Sequence, residues 1–164
     1  MKKVHYTWQQ VEGACLEIAR QMYDHYWRPD YIVGITRGGL VPANLLSQYT
    51  GIKMNSLDIS LRDGGDCVSN LGMAEDAFEG KNILIVDDIN DQGSTLNWIM
   101  NDWPSGCFPD NSQWQTVWGN NVRFAVVIDN LASKCNVKMD YFGEEINKAE
   151  EDVWIEFPYE EWWK

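Results

Sequence analysis

No apolar run in this sequence approaches the roughly 20 residues that a membrane-spanning helix needs, so no membrane partner is expected. The opening MKKVHYTWQQ has two lysines but no apolar export core behind them, which points to a cytoplasmic protein. Cysteine is sparse and unpaired: Cys15, Cys67, Cys107 and Cys135 lie far apart without a C-x-x-C pair. That argues against a zinc site and for reduced, partly buried thiols. Basic residues are also scarce. Thirteen Lys and Arg against 25 Asp and Glu give a formal charge of −12. This disfavours nucleic acid as a partner, since such affinity rests on cations neutralising phosphates. Residues 140–164 alone carry nine carboxylates against two lysines. An acidic surface is also simply a soluble one. Internal repeats and low-complexity tracts are absent.

What is present suits one globular domain over residues 1–164, with 45% hydrophobic and 23% charged content. Nine tryptophans are unusual. Trp114, Trp118, Trp154, Trp162 and Trp163 fall in the last third, as core, subunit interface or stacking platform.

Thr7 followed by Gln10 reads as a capping box, and Val11, Cys15, Ile18 and Met22 then repeat at helical spacing through about Tyr26. YIVGI (31–35) reads as a buried parallel strand, followed by the loop Thr36-Arg37-Gly38-Gly39 and a helix from about Val41 that Gly51 closes. A second strand is expected in 52–60, whereas 62–80 lacks apolar periodicity and reads as a long mobile loop. NILIVD (82–87) is the next strand and 94–103 a helix. Residues 104–121 read as irregular, 123–129 as a strand, and 138–143 and 153–158 as short extended segments. Strands alternating with helices imply an α/β fold with a mostly parallel sheet.

ILIVDDINDQGST (83–95) runs an apolar strand straight into acid. Ligands bind beyond the carboxyl ends of strands in such sheets, where Asp87 and Asp88 fall. Carboxylates there can ligate a divalent cation, accept hydrogen bonds from sugar hydroxyls or exchange a proton. Asp91-Gln92-Gly93-Ser94-Thr95 then leads into a helix, and glycine, two hydroxyls and unpaired N–H groups together suit a phosphate. Acid beside a phosphate site suggests a sugar phosphate. The plainer alternative is that the aspartates end a strand and Ser94 caps a helix.

This stretch resembles the phosphoribosyl-pyrophosphate (PRPP) signature of the type I phosphoribosyltransferases. It departs at Asn90 and Gln92, where the family usually has an apolar residue and a threonine, and neither change removes a backbone N–H. GITRGGLVPANLLSQYTGIK (34–53) resembles the Ser-Arg-Gly-Gly-Leu-Val-Pro segment of bacterial xanthine-guanine and hypoxanthine phosphoribosyltransferases. VWIEFPYE (153–160) resembles their closing Trp-Ile/Val-x-x-Pro-Trp-Asp/Glu motif. The motifs stand in the family's order, behind a similar N-terminal Thr-Trp helix.

The resemblance implies a type I phosphoribosyltransferase fold: a core of about 1–129, a flexible active-site loop over 61–79, and a base-recognition hood of about 130–164. It implies Mg²⁺-dependent transfer of phosphoribosyl from PRPP to a 6-oxopurine base for salvage, in a homodimer or homotetramer. Thr36, Arg37, Gly38 and Gly39 would hold pyrophosphate, in a loop where the family often has a non-proline cis peptide. Asp87 and Asp88 would meet the ribose hydroxyls, directly or through Mg²⁺. Gln92, Gly93, Ser94 and Thr95 would bind the 5′-phosphate, and Asp91 would manage the proton at N7. Arg37 and Asp91 are thus the expected catalytic pair. Trp154 would stack on the base, and the Ile155 backbone would meet its 2-position edge. In the purine-specific relatives a lysine after the core strand donates to O6. Asn130 stands there instead, with Lys134 four residues on, so these two are the expected O6 contacts.

Two rivals remain. A receiver domain also places two aspartates after a strand, with Asp129 as its phosphoacceptor, but 82 residues precede that strand and 35 follow Asp129, too few for the missing units. A PRPP-sensing protein of the same fold without turnover, or a transferase for another base, is the nearer alternative. Retention of Asp91 favours an enzyme.

Overall fold

The apolar runs become strands because each is buried from both sides. The computed structural model describes residues 1–59 and 71–164. Its elements in chain order are β1 (Lys2–His5), α1 (Trp8–Asp24), β2 (Tyr31–Ile35), α2 (Leu40–Thr50), β3 (Met54–Leu57), α3 (Leu71–Phe78), β4 (Ile83–Asn90), α4 (Ser94–Ser105), β5 (Val122–Asn130), β6 (Tyr141–Ile146) and β7 (Val153–Glu156). Five strands form a parallel sheet in the order β3-β2-β4-β5-β6, while β1 pairs in parallel with β7 in a separate two-stranded sheet.

Side chains alternate along a strand, so the sheet supplies two cores. Leu84 and Val86 of β4 pack with α1 and α2, while Ile83 and Ile85 pack with α3 and α4. The chain leaves β2 toward β3 and returns to β4 on the other side of β2. The crevice between the ends of β2 and β4 is therefore the topological switch point, where open parallel sheets bind ligands.

Helix α1 opens with the expected capping box: Thr7 Oγ1 accepts from Gln10 N at 3.1 Å and Gln10 Oε1 accepts from Thr7 N at 2.8 Å. Gly51 closes α2 at a φ of 75°, a left-handed position that glycine takes without strain.

Three expectations need correction. Within 62–80, residues Leu71–Phe78 are helical, burying Met73, Ala74 and Ala77; two of these three are alanine and the helix is only eight residues long, too little to register as apolar periodicity. The rest of the expected active-site loop lies outside the described residues. Strand β4 continues through both aspartates to Asn90, because β5 is equally long and pairs with it as far as Asn90↔Asp129. The 104–121 segment folds back onto its own chain. A 3₁₀ turn at Ser112–Thr116 buries Trp114, whose Nε1 donates to the Cys107 carbonyl at 2.7 Å. Trp114 stacks on Trp118 and Trp118 on Phe124. Trp162 and Trp163, in contrast, are exposed.

Candidate active site

The loop after β2 is clamped between two neighbouring strand ends. Thr36 N donates to the Leu57 carbonyl at 3.0 Å, and its hydroxyl donates to Asp58 Oδ1 at 2.7 Å. Gly39 N donates back to Ile35 O at 2.8 Å, starting α2. The Thr36–Arg37 peptide is cis, and Arg37 is exposed. Gly38 lies against the Asp88 carboxylate and Gly39 against the Val86 carbonyl so closely that neither has room for a Cβ.

Pairing between β2 and β4 ends at Gly34↔Val86, so on its β2 side the rest of β4 borders that loop, while its other edge stays paired with β5. Asp87 Oδ1 accepts from Asp88 N at 2.8 Å and Asp88 Oδ1 from Ile89 N at 2.8 Å. The Tyr159 hydroxyl donates to Asp88 Oδ2 at 3.2 Å. Burial pushes the Asp88 carboxyl above its ordinary range, against these hydrogen bonds. Burial first, and then the charge of Asp88, raise the Tyr159 phenol. Tyr159 occupies the tryptophan position of the family's closing motif.

Helix α4 begins just beyond the acidic end of β4. Gly93 sits at φ 86° with its α-carbon against the Cys135 backbone, so both the sign of φ and the close approach require glycine. Among the described residues no side chain caps this end, which leaves first-turn N–H groups open to a ligand. Gln92 O accepts from Lys134 N at 3.1 Å, and Asn97 bridges the Lys134 carbonyl and Asn136 N. Lys134 is thus held by its backbone, with its side chain exposed. Behind the loop, buried Asn90 donates to Asp129 Oδ1 at 2.9 Å and accepts from the Ser133 hydroxyl at 2.8 Å.

Asn130 is spent on the chain itself. Its Nδ2 donates to the Asp91 carbonyl at 2.8 Å and reaches Asp91 Oδ1 at 3.4 Å, while its Oδ1 accepts from Ala132 N at 3.1 Å and Lys148 N at 3.0 Å. That geometry departs from the expectation of Asn130 as an O6 donor, since no amide atom is left over. Lys148, which the sequence reading passed over, places its ammonium 2.9 Å from Asp91 Oδ1 and 5.5 Å from the ring centroid of half-buried Trp154. Ile155 is buried in the core beneath, paired with Val4. The one signal for Lys148 in the sequence is that it is the single basic residue between Glu144 and Asp152. Tyr159, Asp58 and Lys148 are the site neighbours that only folding reveals.

A parallel sheet whose switch point brings together a glycine-rich loop, an acidic strand end and a glycine-opened helix is the arrangement of the type I phosphoribosyltransferase class. The chain belongs to the phosphoribosyl transferase domain family, which it matches over residues 5–161. It is 24% identical to the hypoxanthine-guanine phosphoribosyltransferase of Schizosaccharomyces pombe, covering 96% of this chain and 89% of that one. It is 27% identical to the xanthine-guanine phosphoribosyltransferase of Cereibacter sphaeroides, over 97% and 87% of the two chains. The solved purine phosphoribosyltransferase of Pyrococcus horikoshii superposes with a TM-score of 0.67 at 27% identity, over 98% of this chain and 95% of that one.

Proposed function

We propose that this protein transfers the 5-phosphoribosyl group of PRPP to a 6-oxopurine (guanine, hypoxanthine or xanthine), releasing pyrophosphate and a nucleoside 5′-monophosphate in purine salvage. The observation that carries this reading is the meeting of loop 36–39, Asp87-Asp88 and the α4 N-terminus at one crevice, with Gly38 in contact with Asp88. PRPP offers a pyrophosphate, a ribose and a 5′-phosphate, one for each of these three groups in this reading.

In this reading the loop Thr36 to Gly39 takes the leaving pyrophosphate through the Arg37 guanidinium and the Arg37 and Gly38 N–H groups, while the Thr36 and Gly39 N–H groups, bound to the Leu57 and Ile35 carbonyls, hold the loop in shape. Asp87 and Asp88 meet the ribose hydroxyls. Gly93, Ser94 and Thr95 hold the 5′-phosphate at the helix N-terminus, with Gln92 at the edge. Asp91 accepts the proton at N7 as the base attacks, and Trp154 stacks on the base while the Ile155 backbone meets its 2-position edge. Asp87 and Asp88 also suit Mg²⁺. Among the described residues no group of three or more ligating side chains occurs, and Mg²⁺ takes one or two carboxylates and completes its shell with substrate oxygens and water. When bound, it would neutralise charge that develops on pyrophosphate.

We read residues 1–164 as one domain, with 130–164 as the base-recognition segment, working in the cytoplasm as a homodimer or homotetramer. Among the described residues no helix is long and apolar enough to cross a membrane, and the acidic surface speaks against nucleic acid. The test is turnover with PRPP and Mg²⁺ against guanine, hypoxanthine, xanthine and adenine separately. Nucleotide from an oxopurine supports the reading. PRPP binding with no product from any base would replace it with a sensor.

A further inference from the structure

Among the described residues, Lys148 is a cation drawn into the site that neither the motifs nor the proposed roles employ. It stands in the turn between β6 and β7, yet its side chain is only 18% exposed, drawn inward to Asp91 and the face of Trp154. Asn130 fixes both partners at once, donating to the Asp91 carbonyl and accepting from the Lys148 N–H. One buried amide therefore makes Asp91 and Lys148 a single unit, an acceptor and a donor 2.9 Å apart beside an aromatic ring. Asn130 has no donor to spare, and Lys134 is held by backbone bonds on the Gln92 and Asn97 side, with its side chain in solvent.

We propose that Lys148 contacts the 6-position of the base and sets the preference for an oxo over an amino group there. This rests on the function proposed above and names the residue that gives that site its specificity. An ammonium carries three donors and no acceptor. A 6-oxopurine presents a carbonyl oxygen beside the N7 proton, and this acceptor–donor edge complements Lys148 and Asp91 together. Adenine presents amino protons at the same place, which meet the ammonium donor to donor. Discrimination of this kind is strong because the wrong base sets a donor against a partly desolvated ammonium and leaves one of its N–H groups unsatisfied, even with Asp91 alongside. The chain thus recruits the needed cation from a later turn and uses Asn130 to hold it.

The test is calorimetric binding of GMP, IMP, AMP and PRPP to the wild-type protein, Lys148→Met and Lys148→Arg, with base turnover measured in parallel. Lys148→Met is expected to weaken GMP and IMP by about 10–100-fold, the loss of one charge-assisted hydrogen bond. AMP and PRPP should change little, and Lys148→Arg should recover part of the loss. An unchanged GMP-to-AMP ratio in Lys148→Met overturns the inference, as does an equal loss for PRPP, which would make Lys148 a brace for Asp91 alone. A wild-type protein that binds PRPP and AMP but neither oxopurine nucleotide overturns the base reading and this inference together. A wild-type protein that prefers GMP over AMP, with that preference intact in Lys148→Met, removes only the inference.

Discussion

Asp88 meets two opposed demands: it is buried, which disfavours its charge, yet the role proposed for it, toward a sugar or a cation, needs that charge. The Tyr159 hydroxyl favours the charged form. Tyr159→Phe removes a donor and leaves the ring in place, so PRPP affinity should fall by about tenfold, the scale of one hydrogen bond to a charged group. Titration of PRPP monitored by calorimetry checks this, and unchanged affinity would mean that the hydroxyl plays no part in holding Asp88. Asp91→Asn separates chemistry from binding. Loss of a positioned proton acceptor should lower kcat by about 10²–10⁴-fold with PRPP affinity nearly unchanged, whereas a sensor has no rate to lose. Gly93→Ala combines a left-handed φ, worth about 1–2 kcal/mol, with a Cβ driven into the Cys135 backbone. Destabilisation of at least that size in denaturant unfolding, together with weakened PRPP binding, is the expected result. Cys15 stays out of this chemistry: burial pushes its thiol up to about 12.

Elements were legible where a pattern is local and repeated. The capping box of α1 spans four residues and is complete in the structure. Thr7→Ala should lower stability by about 1 kcal/mol, read from the shift in denaturant midpoint. The double variant with Gln10→Ala should lose less than the sum, because the two side chains share one device. Legibility failed where the pattern is short or weak. Strand β1 has four residues and scarcely alternates in burial, so its only warrant is the β7 backbone it pairs with. Helix α3 is only eight residues long, with two of its three buried positions alanine. The true end of β4 depends on the length of β5, which the residues of β4 do not encode.

At the scale of the molecule, the two faces of the sheet divide the labour. One face is covered by α1 and α2, whereas the other needs α3, α4 and the Trp114–Trp118 stack carried by the 106–121 segment. Trp114→Ala should therefore cost about 3–5 kcal/mol, measured by thermal or denaturant unfolding; a loss below about 1 kcal/mol would mean the segment is an appendage. Removal of Mg²⁺ by a chelator should abolish turnover but leave the melting temperature of the protein without PRPP unchanged, since no cluster of ligating side chains among the described residues is arranged to hold the fold by a metal. What the sequence determined by itself were the parts whose physics is local: apolar strands, a capped helix, and loops in which glycine, hydroxyl and carboxylate follow one another closely enough to announce a phosphate and a sugar. What only the tertiary structure decided were the pairings across the chain. Tyr159 meets Asp88 from 71 residues away and Asn130 meets Asp91 from 39. Lys148 joins Asp91 because the turn after β6 folds back over the end of β4. Such contacts follow from the order and register of strands, which depend on how whole faces are buried rather than on the neighbours of any one residue.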